Sequence, residues 1–567
     1  MNRPIPIGID DFRTIRERDM EYVDKSQLIA EILGKGASVL LLPRPRRFGK
    51  TLNLSMLRYF FEKRDEDLSA LFADLRVWQE GEAIRRHFQR YPVIHLTFKG
   101  LKFDSYALCW QAMKGKIEAL FDAHRYLLDA GLLSEMEAAE YREVLGRSAE
   151  VVVYGRALAD LSRHLHRHHG EPVVILIDEY DEPIHAGHVS GYAREILEFL
   201  RAFLTEGLKG NEHLFKGVLT GVLRIAKESI FSGLNNLAVY TLLRPEFGAC
   251  FGFTEPEVAA LLDGAGRRDH LASVRAWYNG YVFGGTVVYN PWSILNFVAS
   301  ADTRLRGYWL STSANDLIRE QLAHHALRVE DEITALLEGD RIERRLDENV
   351  VLADLAKRPD ALWSLLVFSG YLKAEEAEGL PDDAPRYLLS IPNREVREVF
   401  TSTFREQLAS RLEGHGGDVA RLVAALLGGD AEGLEEQLQA FTTNLLSYHD
   451  TALRPEQVYH AFVIGLLATL EPEYLVRSNR ESGKGRPDVT IRPRAAGRPG
   501  VVLELKVAKP GKKTKEKALE EGLAQIAERG YAAELLAAGA APVHAFAVAF
   551  DGKRVWVKRA GQEGLEA

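Results

Sequence analysis

Cysteine is almost missing: Cys109 and Cys250 are the two in 567 residues, and they lie far apart in the chain. That excludes a disulfide framework and suits a reducing compartment, so a cytoplasmic location is expected. Long apolar runs are missing too. Val173 to Ile177 is among the longest, against the ~20 residues that a membrane-crossing helix needs. Met1 to Asp10 has no apolar stretch of the kind a secretory signal requires. No membrane partner is expected. An excess of positive charge is lacking as well: Lys and Arg number 72 against 81 Asp and Glu, a net charge of −9. Any nucleic-acid contact must therefore come from local basic patches within an acidic background. There is no internal repeat and no low-complexity linker to mark a boundary.

What is present is ordinary in bulk and specific in detail. A hydrophobic share of 46% and a charged share of 27% fit a globular chain, and the length suggests about three to four domains. Residues 1–301 alternate apolar strands with amphipathic helices, which implies a mostly parallel sheet covered on both faces. Residues 302–440 read as a helical middle domain. Within it, Leu362 to Lys373 followed by the strand-like Tyr387 to Ile391 suggests a helix and hairpin, as in a small winged-helix unit. Residues 441–567 return to mixed α/β.

Two stretches carry chemistry. In the first, Arg44-Pro-Arg-Arg-Phe-Gly49-Lys50-Thr51 lies between the apolar run Ser38 to Leu42 and a helical stretch. Backbone N–H groups and a helix N-terminus at such a turn cradle phosphates. Gly49 permits the turn, Lys50 reaches the β- and γ-phosphates, and Thr51 ligates Mg²⁺. Ile175-Leu-Ile177-Asp178-Glu179 has the form of a Walker B strand, with Asp178 for Mg²⁺ and Glu179 to polarise water. Thr220 ends a later apolar strand, where a γ-phosphate sensor would lie. The pattern predicts ATP binding and, with Glu179, hydrolysis.

In the second stretch, Pro487-Asp488 precedes Glu504-Leu505-Lys506 on neighbouring short strands. Carboxylate oxygens are the ligands Mg²⁺ prefers, so Asp488 and Glu504 are expected to hold Mg²⁺ or Mn²⁺. A lysine two residues after a ligand on a strand shares its face. Lys506 can there orient an attacking water and offset charge on a phosphate. Lys506, Lys509, Lys512, Lys513, Lys515 and Lys517 crowd together, a run that would track a nucleic-acid backbone with salt-dependent affinity. Four histidines, His164, His166, His168 and His169, look like a metal cluster but are expected on a helix surface, for want of carboxylate or cysteine partners.

The first three hundred residues also resemble a known family. Pro6-Ile-Gly8, Asp11-Phe12, Tyr22-Val-Asp24-Lys25, the loop 44–51, Leu176-Ile-Asp-Glu-Tyr-Asp181, Phe231-Ser-Gly-Leu-Asn-Asn236, Trp277-Tyr-Asn-Gly-Tyr281 and Tyr289-Asn-Pro-Trp-Ser293 are similar to the AAA-ATPase-like family. In that family the P-loop domain is commonly fused to a C-terminal PD-(D/E)xK nuclease domain, of restriction-endonuclease-like α/β fold. The resemblance implies that Arg44 is normal for the family, and that Arg44, Arg46 and Arg47 supply charge around the phosphates. It also implies that Arg224 or Lys227 could act on the γ-phosphate, and that Gln525 and Tyr531 serve the lysine or the nucleic-acid end. The resulting expectation is an ATPase and metal-dependent nuclease acting on nucleic acid, DNA ahead of RNA, with a homo-oligomer compatible with the loop arginines. The alternative is a regulatory ATPase that binds nucleic acid without cleaving it.

Overall fold

The computed structural model describes residues 3–223, 235–309, 321, 329–349, 359–378, 385–402, 419–445, 470, 473–478, 488–508, 514–551 and 554–561. The chain divides into two compact units, residues 1–318 with 343–396, and residues 319–342 with 397–567. Residues 302–440, expected as a helical middle domain, are thus shared between the two.

The first unit is built on a five-stranded sheet of β1 (Val39–Pro43), β2 (Val93–Thr97), β3 (Val173–Asp178), β4 (Leu214–Gly221) and β5 (Leu237–Val239), in the order β2-β3-β4-β1-β5. All its pairings are parallel. Every residue of β1 and of β3 is buried, the near-continuous apolar pattern of strands covered on both faces. The order inserts β4 between the strand that leads into the phosphate loop and the strand that ends in acids. Leu42 pairs with Thr220, and Ile177 with Leu219. Asp178 is one step further along, which brings it beside Thr220.

After the loop, helix α1 (Lys50–Phe61) begins with Gly49 at a left-handed φ of 82° as its N-cap, a conformation glycine takes without steric cost. Helix α2 (Val151–His169) ends at Gly170 in the same left-handed region. A short hairpin, β6 (Tyr281–Phe283) with β7 (Thr286–Val288), leads to helix α3 (Pro291–Ala299). Asn290 caps α3 by accepting from the Trp292 and Ser293 amides, and Pro291 opens the helix. A three-stranded sheet of β8 (Ile342–Arg344), β9 (Lys373–Glu376) and β10 (Tyr387–Ser390) follows in the order β8-β10-β9, with α4 (Pro359–Phe368) before the β9–β10 hairpin. The helix and hairpin expected near 362–391 are both there. The buried Glu395 ties this region to α3, accepting from Ser293 Oγ at 2.8 Å and from the Trp309 amide at 2.7 Å.

The second unit holds a five-stranded mixed sheet, β11 (Tyr474–Ser478), β12 (Val489–Pro493), β13 (Gly500–Val507), β14 (Val543–Asp551) and β15 (Arg554–Arg559), in sequence order. Only β13 and β14 run parallel. Helices α7 (Lys515–Glu528) and α8 (Tyr531–Ala537) make the crossover that such a pair needs. Side chains alternate across β13. Val501 and Leu503 face Leu422, Leu426, Leu434 and Leu438 of α5 (Val419–Gly428) and α6 (Ala431–Leu445), while Val502 faces Ile526 and Leu535 of α7 and α8. The amphipathic stretch Glu456 to Leu470, whose pattern predicts a helix, falls, except for Leu470, outside the described residues, as do Glu481 and residues 483–487 before Asp488. Among the described residues no helix is long and apolar enough to cross a membrane.

Candidate functional site

The phosphate loop wraps around the side chain of Lys50. Its Nζ is buried and donates to the Arg44 and Pro45 carbonyls at 3.0 Å each. Burial pushes the ammonium below its ordinary pKa, opposed by the charges of Glu179, Asp178 and Asp181. Thr51 Oγ1 donates to Asp178 Oδ2 at 2.7 Å, and Thr220 Oγ1 donates to Asp178 Oδ1 at 2.6 Å. Asp178 has no exposed surface. Burial raises its pKa, and the two hydroxyl donors work against that rise. The loop hydroxyl and the strand carboxylate, the pair expected to share one Mg²⁺, are therefore in direct contact. Thr220 lies one bond away from the phosphate side: its hydroxyl orients Asp178, and the cavity beside the loop is lined without it.

That cavity has a volume of ≈ 660 Å³, within the usual range for a small-molecule site. It is lined by Arg46 to Asn53 from the loop and α1, by Glu179 and Glu182, and by Trp292 and Asn296 of α3. Glu179 sits at a positive φ of 51°, strained for a non-glycine residue. Its carboxylate is hydrogen-bonded to that of Glu182. Burial raises Glu182 well above the usual carboxylate range, and the Glu179 charge raises it further. Burial also pushes Glu179 up, but the hydrogen bond from Glu182 and the Lys50 charge prevail and hold it low. Asp181 is the buried brace beneath. Its Oδ2 accepts from the Val222 and Leu223 amides at 2.8 and 2.9 Å. Burial would raise it, but His185 and those amides outweigh burial and hold it at about 2. Gly221 has to be glycine, because a Cβ there would stand 2.5 Å from Asp181 Oδ1.

The loop arginines separate into different roles. Arg44 has no exposed surface, donates to the Pro43 and Tyr240 carbonyls at 2.8 and 2.7 Å, and lies over the Phe251 and Phe283 rings. It does not line the cavity. The expectation of a phosphate contact is corrected on that ground: its guanidinium is bound to backbone carbonyls and holds the loop to residues 240–251. Arg46 and Arg47 do line the cavity. Arg47 has a φ of 67°, and its guanidinium lies 4.1 Å from the Trp292 ring centroid. Arg224 and Lys227 lie outside the described residues. Sequence reasoning missed Glu182, whose signal was an acid one helical turn past Glu179. Trp292, which sequence alone gives only as part of the family-like motif 289–293, is half-buried and open to the cavity. Of the four histidines, His164 is buried and held near a pKa of about 4 by burial and by the neighbouring arginines. It thus departs from the expected surface position, and among the described residues no group of three or more His, Cys, Asp or Glu is placed to hold a metal ion.

In the second unit, Val489 pairs with Leu503. One step beyond, Asp488 stands opposite Glu504, where facing Cβ atoms are ~5 Å apart. Asp488 Oδ2 accepts from the Leu505 amide at 2.7 Å. Glu504 is 1% exposed, and its Oε1 accepts from Lys506 Nζ at 2.6 Å. Lys506 Nζ also donates to Gln525 Oε1 of α7 at 2.9 Å. Burial raises the pKa of both carboxyls, and the Asp488 charge raises Glu504 further, against the pull of Lys506. Glu504 Oε2 is buried and has no hydrogen-bond partner among the described residues. An orphaned carboxylate oxygen opposite a second acid fits a divalent cation. Gly522 allows the approach of α7, since a Cβ there would meet Ala547 Cβ at 2.8 Å. Tyr531 is different: it is buried against Val502 and Leu535 and packs the core. Lys509, Lys512 and Lys513 lie outside the described residues. Lys515 lies over the Trp556 ring at 5.2 Å, and Lys517 is exposed.

Comparison with known proteins places each of the two regions in a family. Residues 6–231 match the family of predicted AAA-ATPases, AAA-ATPase-like, and residues 454–560 match the PD-(D/E)XK nuclease superfamily. The chain is similar, at 29% identity over 97% of its length and 96% of the relative's, to an uncharacterized protein encoded in the vnfD 5′ region of Azotobacter chroococcum mcd 1. No solved structure matches it.

Proposed function

We propose that this chain, which joins an AAA-ATPase-like domain to a C-terminal domain of the PD-(D/E)XK nuclease superfamily, binds and hydrolyses ATP in its first unit and cuts nucleic-acid phosphodiester bonds in its second. The observation that carries the nuclease reading is the unpartnered, buried Glu504 Oε2 opposite Asp488, with Lys506 alongside.

In the ATPase site Lys50 leaves its two loop carbonyls to pair with the β- and γ-phosphates, while Thr51 and Asp178 hold Mg²⁺. Glu179 accepts a proton from the attacking water. In the nuclease site Asp488 and Glu504 hold the divalent ion. Gln525 fixes the Lys506 ammonium, which orients the water and offsets charge gathering on the scissile phosphate. Bound Mg²⁺ at either site supplies positive charge that stabilises phosphate oxygens. DNA is the favoured substrate. The test is incubation of the full chain with single- and double-stranded DNA and RNA, with Mg²⁺ or Mn²⁺ and with or without ATP. Binding without any cutting would leave the chain a nucleic-acid-binding ATPase.

A further inference from the structure

The cation–π pair formed by Arg47 and Trp292 is the feature that phosphate binding alone leaves unexplained. Arg47 stands at the loop's turn in a left-handed conformation that costs energy for a residue with a side chain. What it gains is a seat over an indole, its Cζ 4.1 Å from the ring centroid. Trp292 is itself held at three points: its indole Nε1 donates to the Tyr308 carbonyl at 3.2 Å, its backbone amide donates to Asn290 Oδ1 at 2.9 Å, and its backbone carbonyl accepts from Asn296 Nδ2 at 2.7 Å. Arg47 is exposed to solvent and lines the same cavity as Lys50 and Thr51. A guanidinium is planar and weakly hydrated, and it stacks on aromatic faces in a way an ammonium does not.

We infer that Arg47, seated over Trp292, is the stacking surface for the nucleotide's base, so that the cavity takes a nucleoside triphosphate rather than a bare polyphosphate. This rests on the proposed nucleotide-binding role of the loop. Arg47 touches the base, and Trp292 is a positioning residue acting through it. Charge near the phosphates is then the task of Lys50 and Arg46, and Arg47 serves recognition of the nucleoside.

The experiment is calorimetric titration of the full-length protein with ATP and, separately, with inorganic tripolyphosphate, which has the phosphates without the base. The wild type is expected to bind ATP more tightly than tripolyphosphate. Arg47→Lys keeps the charge and removes the plane, so ATP affinity is expected to fall about tenfold or more while tripolyphosphate affinity is kept. Trp292→Leu is expected to give the same pattern, with Trp292→Phe restoring most of the ATP affinity. Retained tripolyphosphate binding also reports that each variant's loop is folded. Equal losses for both ligands, no loss for either, or a wild type that binds the two equally would overturn the inference and leave the loop's role intact. A wild type that binds neither would overturn the nucleotide reading and this inference with it.

Discussion

Lys506 Nζ stands between two acceptors from different elements, Glu504 Oε1 at 2.6 Å on its own strand and Gln525 Oε1 at 2.9 Å on α7. The ammonium is thereby fixed in place beside the two carboxyls before any substrate arrives. Preorganised charge of this kind is effective because it need not rearrange when the transition state forms.

That placement depends on how closely α7 lies against the sheet. Gly522→Ala would set a methyl group 2.8 Å from Ala547 Cβ, so the helix must move. A stability loss of about 1–3 kcal/mol is expected from the overpacking, together with a fall in nuclease rate as Gln525 is carried away from Lys506. Denaturant unfolding and a cleavage time course check the two parts. Unchanged values in both would mean that the helix position is immaterial.

The carboxyl pair gives the nuclease site a defined pH response. Burial raises both folded-state pKa values, with Glu504 lifted further by Asp488. For raised carboxyls, the favourable contribution to stability is full below their unfolded values and is lost as pH rises through the folded ones. A divalent ion competes with those protons. At fixed Mg²⁺ concentration, the rise in unfolding temperature on adding the ion is therefore expected to be larger at pH 8 than at pH 5.5. Asp488→Asn should abolish the difference. An equal rise at both values would count against a metal between these residues.

In the ATPase unit, Lys50→Ala and Glu179→Gln should separate binding from turnover. Lys50→Ala is expected to lose ATP binding. Glu179→Gln should still bind ATP and release phosphate about 10²-fold or more slowly, the scale of a lost general base. Phosphate release measured beside ATP titration distinguishes them. A Glu179→Gln variant with full turnover would move the base to another group.

Glu395 is a test of the scaffold around the nucleotide cavity. Its buried carboxylate serves Ser293 Oγ and the Trp309 amide, so Glu395→Ala leaves buried donors without it. A loss of roughly 2–3 kcal/mol is expected by denaturant unfolding, with Glu395→Gln losing less. A neutral Glu395→Ala would show that the donors find other acceptors.

Much of this was legible in the residues. The apolar runs that became β1 and β3, the turn at Gly49 and the acids Asp178, Asp488 and Glu504 follow local rules of burial, backbone freedom and ligand chemistry. The contacts between distant segments were not legible. Whether Arg44 meets a phosphate or a carbonyl is decided by residues 240–251, some two hundred positions later. Nothing local to Trp292 shows that the phosphate loop reaches its ring. Thr220 fell on the expected strand end, but parallel register set its hydroxyl on Asp178. Glu182 needed the strained turn at Glu179 to bring the two acids together.

The most direct measurement is cleavage of DNA and RNA by the full chain in Mg²⁺, comparing wild type with Lys506→Ala, Asp488→Asn and Glu504→Gln. The expected result is cutting by the wild type that stops with EDTA and falls by about 10²-fold or more in each variant. Cutting that survives all three substitutions would contradict the assignment of hydrolysis to this site.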